Sequence, residues 1–189
     1  MGLEFELKYA ITPSVLRAIE AHYGDFASIS METTYYDTAD HALSTKNMTM
    51  RRRFENGASV CTLKTPADHY GRVEWELEEN WAEAVVQSLF EKAAVAPIPF
   101  DALKPVCGAR FTRLAKTIVF PDCTLELALD EGILFGGGRE LPLCELEVEL
   151  KSGSQTALCL WAQALAHKYG LTAEHASKFK RALALAKGE

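Results

Sequence analysis

Nowhere in the chain does an apolar run approach the roughly 20 residues that a membrane-crossing helix requires. The N-terminus opens directly on charged residues, so neither a membrane partner nor a leader segment is expected. Positive charge is in deficit. Twenty Lys and Arg face 26 Asp and Glu, a net charge of −6, which argues against a nucleic-acid partner while leaving room for a local basic site. The five cysteines, Cys61, Cys107, Cys123, Cys144 and Cys159, are odd in number and scattered. They show no CxxC or His/Cys ligand spacing, so neither a disulfide framework nor a zinc site is indicated. Most fall at apolar positions and read as core thiols, and a reducing cytoplasm is the expected location. No linker, repeat or low-complexity tract interrupts the 189 residues, which are expected to form one domain. Gly136-Gly137-Gly138 lacks the trailing Gly-Lys-Ser/Thr and the helix of a phosphate-binding loop, and reads as a hairpin turn.

What is present is strand after strand of strict alternation. Leu3-Glu4-Phe5-Glu6-Leu7-Lys8-Tyr9 puts Leu3, Phe5, Leu7 and Tyr9 on one face and Glu4, Glu6 and Lys8 on the other. Carboxylates two apart on a strand face stand roughly 6.5–7 Å from each other, wide enough to hold a hard divalent cation between them. Thr12-Pro13 then caps and starts a helix whose apolar stripe is Val15, Leu16, Ile19 and Tyr23, stopped at Gly24. A strand is predicted over residues 29–38, with Asp37 either a turn-former or a ligand. Residues 47–54 and 60–65 form a hairpin around Asn56-Gly57, and 71–78 continues the meander. A helix is predicted over 81–94, ended by Pro97 and Pro99. Strands follow at about 108–120, 123–130 and 143–151. Two helices finish the chain: one capped by Ser152 or Ser154 and ending at Gly170, the other running from about Ala173 to Lys187 with Phe179, Leu183 and Ala186 inward.

The charged faces repeat. Arg51 and Arg53, Thr62 and Lys64, Arg72 with Glu74 and Glu76, Glu126 with Asp130, and Glu145 with Glu147 and Glu149 all fall on alternate positions. A solvated outer face explains one or two such strands. Across about seven, with four amphipathic helices needing apolar partners, the economical solution is an α+β fold: an antiparallel sheet curled into a barrel, helices outside and charges inside. Unpaired buried charge is costly, so the lumen must be wet or filled by an ion-rich ligand. Glutamates suit cations and the planar Arg fork suits phosphate, which together fit a metal–polyphosphate complex.

These motifs resemble, in order along nearly the whole chain, the CYTH superfamily of triphosphate tunnel metalloenzymes. Glu4-Phe5-Glu6-Leu7-Lys8 matches its ExExK signature, and Tyr35-Tyr36-Asp37-Thr38 its YYDT segment. Met50-Arg51-Arg52-Arg53, Thr62-Leu63-Lys64 and Arg72-Val73-Glu74-Trp75-Glu76 match LRxR, TLK and RxExE. Leu127–Gly132, the glutamates of Cys144–Glu149 and Ser177-Lys178 complete the set. The resemblance implies an eight-stranded antiparallel tunnel acting on triphosphate-bearing substrates with Mg²⁺ or Mn²⁺. It is nearest to bacterial inorganic triphosphatases, some of which carry a further C-terminal helical domain. This chain ends at Glu189 without one, so either a stand-alone form or one lacking that domain is expected.

On this basis Glu4 and Glu6, with Asp130 and one or two of Glu145, Glu147 and Glu149, are expected to hold the metal. Lys8, Arg51, Arg53, Lys64, Arg72, Arg113 and Lys178 are expected to bind phosphate, with Arg181 an alternative to Lys178 on the last helix. Glu76, or a second metal, would orient and deprotonate the attacking water; Lys8 and Arg53 complete the expected catalytic set. Arg52 is expected to point outward, and Trp75, Trp81 and Trp161 to pack. The substrate implied is tripolyphosphate, or ATP or thiamine triphosphate. An adenylyl cyclase and a non-catalytic polyphosphate- or nucleotide-binding module stand as alternatives. An RNA triphosphatase is disfavoured by the net acidity.

Overall fold

A computed structural model describes residues 2–67 and 72–189, the first three of these by backbone alone. The alternating segments form strands β1 (Gly2–Glu4), β2 (Glu6–Ala10), β3 (Ala27–Asp37), β4 (Thr49–Glu55), β5 (Ala58–Pro66) and β6 (Arg72–Leu77). The longer β7 (Lys104–Val119), β8 (Cys123–Gly136) and β9 (Arg139–Gly153) and the two-residue β10 (Thr172–Ala173) follow. All pair antiparallel in one sheet of order β1-β6-β5-β4-β3-β7-β8-β9-β2-β10. Setting aside β10, the two ends of that order, β1 and β2, are the same N-terminal segment. Its first half lies on β6 and its second half on β9, with only Phe5 between them, whose carbonyl accepts from Leu150 N at 2.9 Å. Counting that segment once and setting β10 aside leaves the eight strands expected. Asn56-Gly57 and Gly137-Gly138 make the two-residue turns, with φ of 48° and 89°, and 58° and 75°. This is the left-handed pair that matches strand twist. A Cβ on Gly137 would stand 2.6 Å from the Ala186 carbonyl, so the glycine run is a hairpin pressed under a helix.

Three helices cover the outer face. Helix α1 (Pro13–Tyr23), with Thr12 accepting from Val15 N, and α3 (Gln155–Tyr169), capped by Ser154, pack Leu16, Ile19, Leu158, Ala162 and Leu165 on Leu125, Leu127, Leu129, Leu146 and Val148. Helix α2 (Glu83–Lys92) packs Val86, Leu89 and Phe90 on Met50, Cys61 and Leu63. Apolar strand residues thus meet apolar helix stripes, and the opposite strand face is left to the charges. Trp75, Trp81 and Trp161 all pack against these clusters, as expected.

The fourth helix departs from the expectation that every helix lies outside. Helix α4 (Lys178–Lys187) begins five residues later than predicted, because residues 172–173 are a strand on β2 and Ser177 is its N-cap, accepting from Lys180 N. It buries Phe179, Ala182 and Leu183 against Met31, Tyr35, Ala109, Phe111, Leu134 and Leu143. Those residues share the parity of Arg113, Asp130 and Glu145 in the register, so α4 sits on the inner face. The inner face is charged only part of the way along; where it turns apolar, a helix closes over it.

Asp37 is the turn-former rather than a ligand. Fully buried at the end of β3, it accepts from the backbone N–H groups of Thr38 (2.8 Å), Leu43 (2.9 Å) and Ser44 (3.1 Å). Asp37→Ala leaves these donors without their acceptor in a dry site and should cost roughly 2–4 kcal/mol. Asp37→Asn, keeping one acceptor oxygen, should recover part of that loss in urea denaturation.

Candidate active site

Period-two alternation becomes a set of cross-strand rows once the register is read across the sheet. Glu145, Asp130, Arg113 and Ile29 form one row, on β9, β8, β7 and β3. Lys8 lies opposite Glu147, and Glu6, Glu149 and Glu126 stand side by side on β2, β9 and β8. On the far wall Tyr35, Arg51, Thr62 and Glu76 form another row, and Thr49, Lys64 and Glu74 a third. These rows enclose a cavity of about 330 Å³.

Among the described residues its lining carries eight cations, Lys8, Arg51, Arg53, Lys64, Arg72, Arg113, Lys151 and Lys178, and seven carboxylates, Glu6, Glu55, Glu74, Glu76, Glu126, Glu147 and Glu149. Every expected phosphate-binding side chain is therefore brought together, as are Glu6, Glu76, Glu147 and Glu149. Asp130 and Glu145 lie fully buried just behind the wall. The Glu4 side chain is outside the described residues; its backbone stands opposite Arg72. Arg52 points outward, over the Phe54 ring at 4.7 Å. Glu74 and Glu126, placed on the inner charged face by alternation but given no role, also line the cavity, as do Glu55, Lys151, Tyr35, Phe111 and Phe179, which were not placed there. The signal for Lys151 and Glu55 was the same alternation, since each lies two positions from a residue already placed inside.

Opposite charges are interleaved, and Lys8, Arg51, Arg53 and Lys64 each have a carboxylate neighbour, while Arg72 donates to Asn47 O and Thr49 Oγ1. Lys8 Nζ donates to Glu6 at 2.8 Å, and Arg51 and Lys64 reach Glu74 at 3.1 and 3.2 Å. Arg53 pairs with Glu55 and, at 3.8 Å, with Glu76, and Thr62 Oγ1 donates to Glu76 at 3.0 Å. Burial, then repulsion from Arg51, pulls the Arg53 guanidinium below its ordinary value.

The densest knot is Asp130, Glu145 and Glu147, whose carboxylate oxygens lie within 4.8 Å of one another. Lys178, from the first turn of α4, sits among them, 2.7 Å from Asp130 and 2.8 Å from Glu147 and bonded to Glu145. Arg113 forks onto Asp130 at 2.8 and 2.7 Å and also bonds Glu147, while Arg181 bonds Glu145. Both alternatives on α4, Lys178 and Arg181, therefore reach this knot. Burial disfavours the charge on Lys178, but Asp130, Glu147 and Glu145 outweigh it and hold the ammonium far above its ordinary value. Burial also pushes Glu147 up, and Lys178 with Arg113 overcome it, holding the carboxyl well below the usual range.

All the donors are hard oxygens, which fit Mg²⁺ or Mn²⁺. Glu6, Glu126, Glu147 and Glu149 face the cavity, where an ion could reach them. The Asp130–Glu145–Glu147 knot already has three side-chain cations for its three carboxylates.

A family model for the CYTH domain matches residues 2–183. An inorganic triphosphatase of Haemophilus influenzae is 29% identical over 191 residues, covering 94% of this chain but 53% of that protein. The chain thus spans about half the length of this curated relative. Among solved structures, a candidate adenylyl cyclase from Hippeastrum described as having a dominant triphosphatase activity superposes with a TM-score of 0.69 at 18% identity. That superposition covers 99% of this chain and 97% of the other. A candidate adenylate cyclase from Bacillus halodurans gives a TM-score of 0.60 at 17% identity, over 93% and 94% of the two chains. At these identities the structures speak for the fold.

Because the Glu147 carboxyl is lowered in the fold, its contribution to stability is complete above the ordinary carboxylate value and is lost as pH falls below it. Between about pH 5 and pH 3 the melting temperature should therefore fall more steeply for the wild type than for Glu147→Gln. The variant starts lower at neutral pH, and the gap closes on acidification.

Proposed function

From the premise that the chain belongs to the CYTH domain family, we propose that it is a metal-dependent hydrolase of phosphoanhydride bonds, acting on inorganic triphosphate. The observation that carries this reading is the balance of charge in the cavity. Eight cations suit a polyphosphate, but a plain anion binder would have no use for seven facing carboxylates. A site that must take anions and cations together needs both. The triphosphatase relative and the shared fold support the same direction.

In this reading Glu4, Glu6, Glu147 and Glu149 hold Mg²⁺ or Mn²⁺, with Asp130 and Glu145 supporting them from behind the wall. A bound divalent ion supplies Lewis-acid polarisation of phosphoryl oxygens and draws their charge. Lys8, Arg51, Arg53, Lys64, Arg72, Arg113 and Lys178 grip the phosphate chain and neutralise its oxygens as charge redistributes. Arg51 and Arg53, two apart on β4, present parallel guanidinium forks from one wall. Glu76, partly exposed and hydrogen-bonded by Thr62, would accept a proton from the water that attacks the terminal phosphorus. Because Arg51 and Arg53 both stand 3.8 Å from Glu76, the base and the phosphate grip are positioned by one another.

Phe179 of α4 meets Tyr35 of β3 with ring centres 5.1 Å apart and planes tilted by 48°, so the apolar end of the cavity is occupied by the protein's own rings. That supports a small inorganic triphosphate over ATP or thiamine triphosphate. One sheet, with Lys178 delivered by α4, carries the site residues, which supports residues 1–189 as a single CYTH domain. Five free thiols support a reducing, cytoplasmic setting.

The test is release of orthophosphate and pyrophosphate from tripolyphosphate, ATP and thiamine triphosphate with Mg²⁺ or Mn²⁺. Tripolyphosphate should be cleaved fastest, only with metal, and Glu4→Ala should abolish turnover. Arg53→Ala should lower kcat/KM by roughly 10²-fold, the scale of losing one preorganised charge donor. Cyclic AMP with pyrophosphate from ATP would replace this reading with a cyclase. Tight triphosphate binding without turnover would replace it with a binding module.

A further inference from the structure

We propose that Lys151 is a tethered counter-ion on a cation-binding pair formed by Glu126 and Glu149, and that an entering divalent cation displaces it. The inference rests on the metal-dependent reading above and adds two residues to it.

Glu126 on β8 and Glu149 on β9 are direct cross-strand partners, with Glu6 of β2 next in the same row. Side chains directly opposite each other stand roughly 4.5–5.5 Å apart at Cβ, and like charges so placed repel. Something positive must sit on the row. Lys151, two residues beyond Glu149 on the same strand face, does so: its Nζ is 2.8 Å from Glu149 and 3.7 Å from Glu126.

The contrast with Lys178 shows why this ammonium can leave. Lys178 is 10% exposed, bonded to the fully buried Asp130 and Glu145 and to Glu147, and anchored by α4. Removing it would strand charge in a dry site. Lys151 is 40% exposed, and its partners Glu126 and Glu149 are 24% and 30% exposed. A flexible four-carbon stem lets its head swing into water at little cost, while both carboxylates stay within reach of a hydrated Mg²⁺ or Mn²⁺, which keeps several of its own waters. The chain thus holds two acidic groups of different kind: one locked by buried side-chain cations, one covered by a removable lysine. The released ammonium remains in the cavity wall, where it joins the positive charge facing a polyphosphate.

The experiment is calorimetric titration of the substrate-free full chain with Mn²⁺, for wild type, Lys151→Gln, Lys151→Met and Glu126→Gln. Removing the competing ammonium should tighten Mn²⁺ binding roughly five- to tenfold in both lysine variants, the scale of a half-exposed ion pair. Glu126→Gln should weaken it by at least as much. Unchanged or weaker binding in both lysine variants, with the wild type still taking up Mn²⁺ and cleaving tripolyphosphate, overturns this inference and leaves the proposed function standing. Tightening in Lys151→Gln alone also overturns it, since the new amide oxygen would then be the ligand. Absence of both Mn²⁺ uptake and turnover in the wild type overturns the two together.

Discussion

A buried charge must be matched, and in this protein six of them are matched at one point. Asp130, Glu145 and Glu147 face Lys178, Arg113 and Arg181 inside a wall where water has little access. Each pair draws strength from the low local dielectric, and the loss of any partner would leave charge uncompensated there. Because Lys178 and Arg181 belong to α4 while the carboxylates belong to β8 and β9, this knot joins the last helix to the inner face of the sheet. The apolar packing of Phe179, Ala182 and Leu183 holds α4 at a distance that lets those cations reach.

From that point outward the cavity loosens. In the knot three carboxylates face three side-chain cations, with Asp130 and Glu145 fully buried. The next rows, Lys8 with Glu147 and Glu6 with Glu149 and Glu126, are partly exposed and bridged by flexible lysines. The opposite wall of Arg51, Arg53 and Lys64 is likewise paired with carboxylates, and burial, then repulsion from Arg51, holds Arg53 below its ordinary value. A gradient from locked to exchangeable charge is what a site needs if its frame must stay rigid while ions and phosphate come and go.

Most of the candidate site was legible because a strand has a period of two, so a charged residue placed inside carries every second neighbour with it. Glu6, Lys8, Arg51, Arg53, Lys64, Arg72, Glu76, Arg113, Glu147, Glu149 and Lys178 all meet in one cavity. What alternation could not reveal was where the charged face ends. Ala109, Leu134 and Leu143 continue the same inward parity as apolar residues, and that change invites a helix inside. The start of α4 was misread for a related reason. Ala173 suits a helix by composition, but the edge of β2 takes it, with Thr172, as a strand.

By itself, then, the sequence determined the local elements, the face each side chain takes and the collection of opposite charges into one lumen, because these follow from periodicity, capping and the cost of burying charge. Only the tertiary structure decided which charges neutralise one another. Register set Glu126 beside Glu149 and Asp130 beside Arg113, and α4 delivered Lys178 from far along the chain into a group of carboxylates. Partner choice depends on distances of a few ångströms between segments remote in sequence, and no local pattern encodes those.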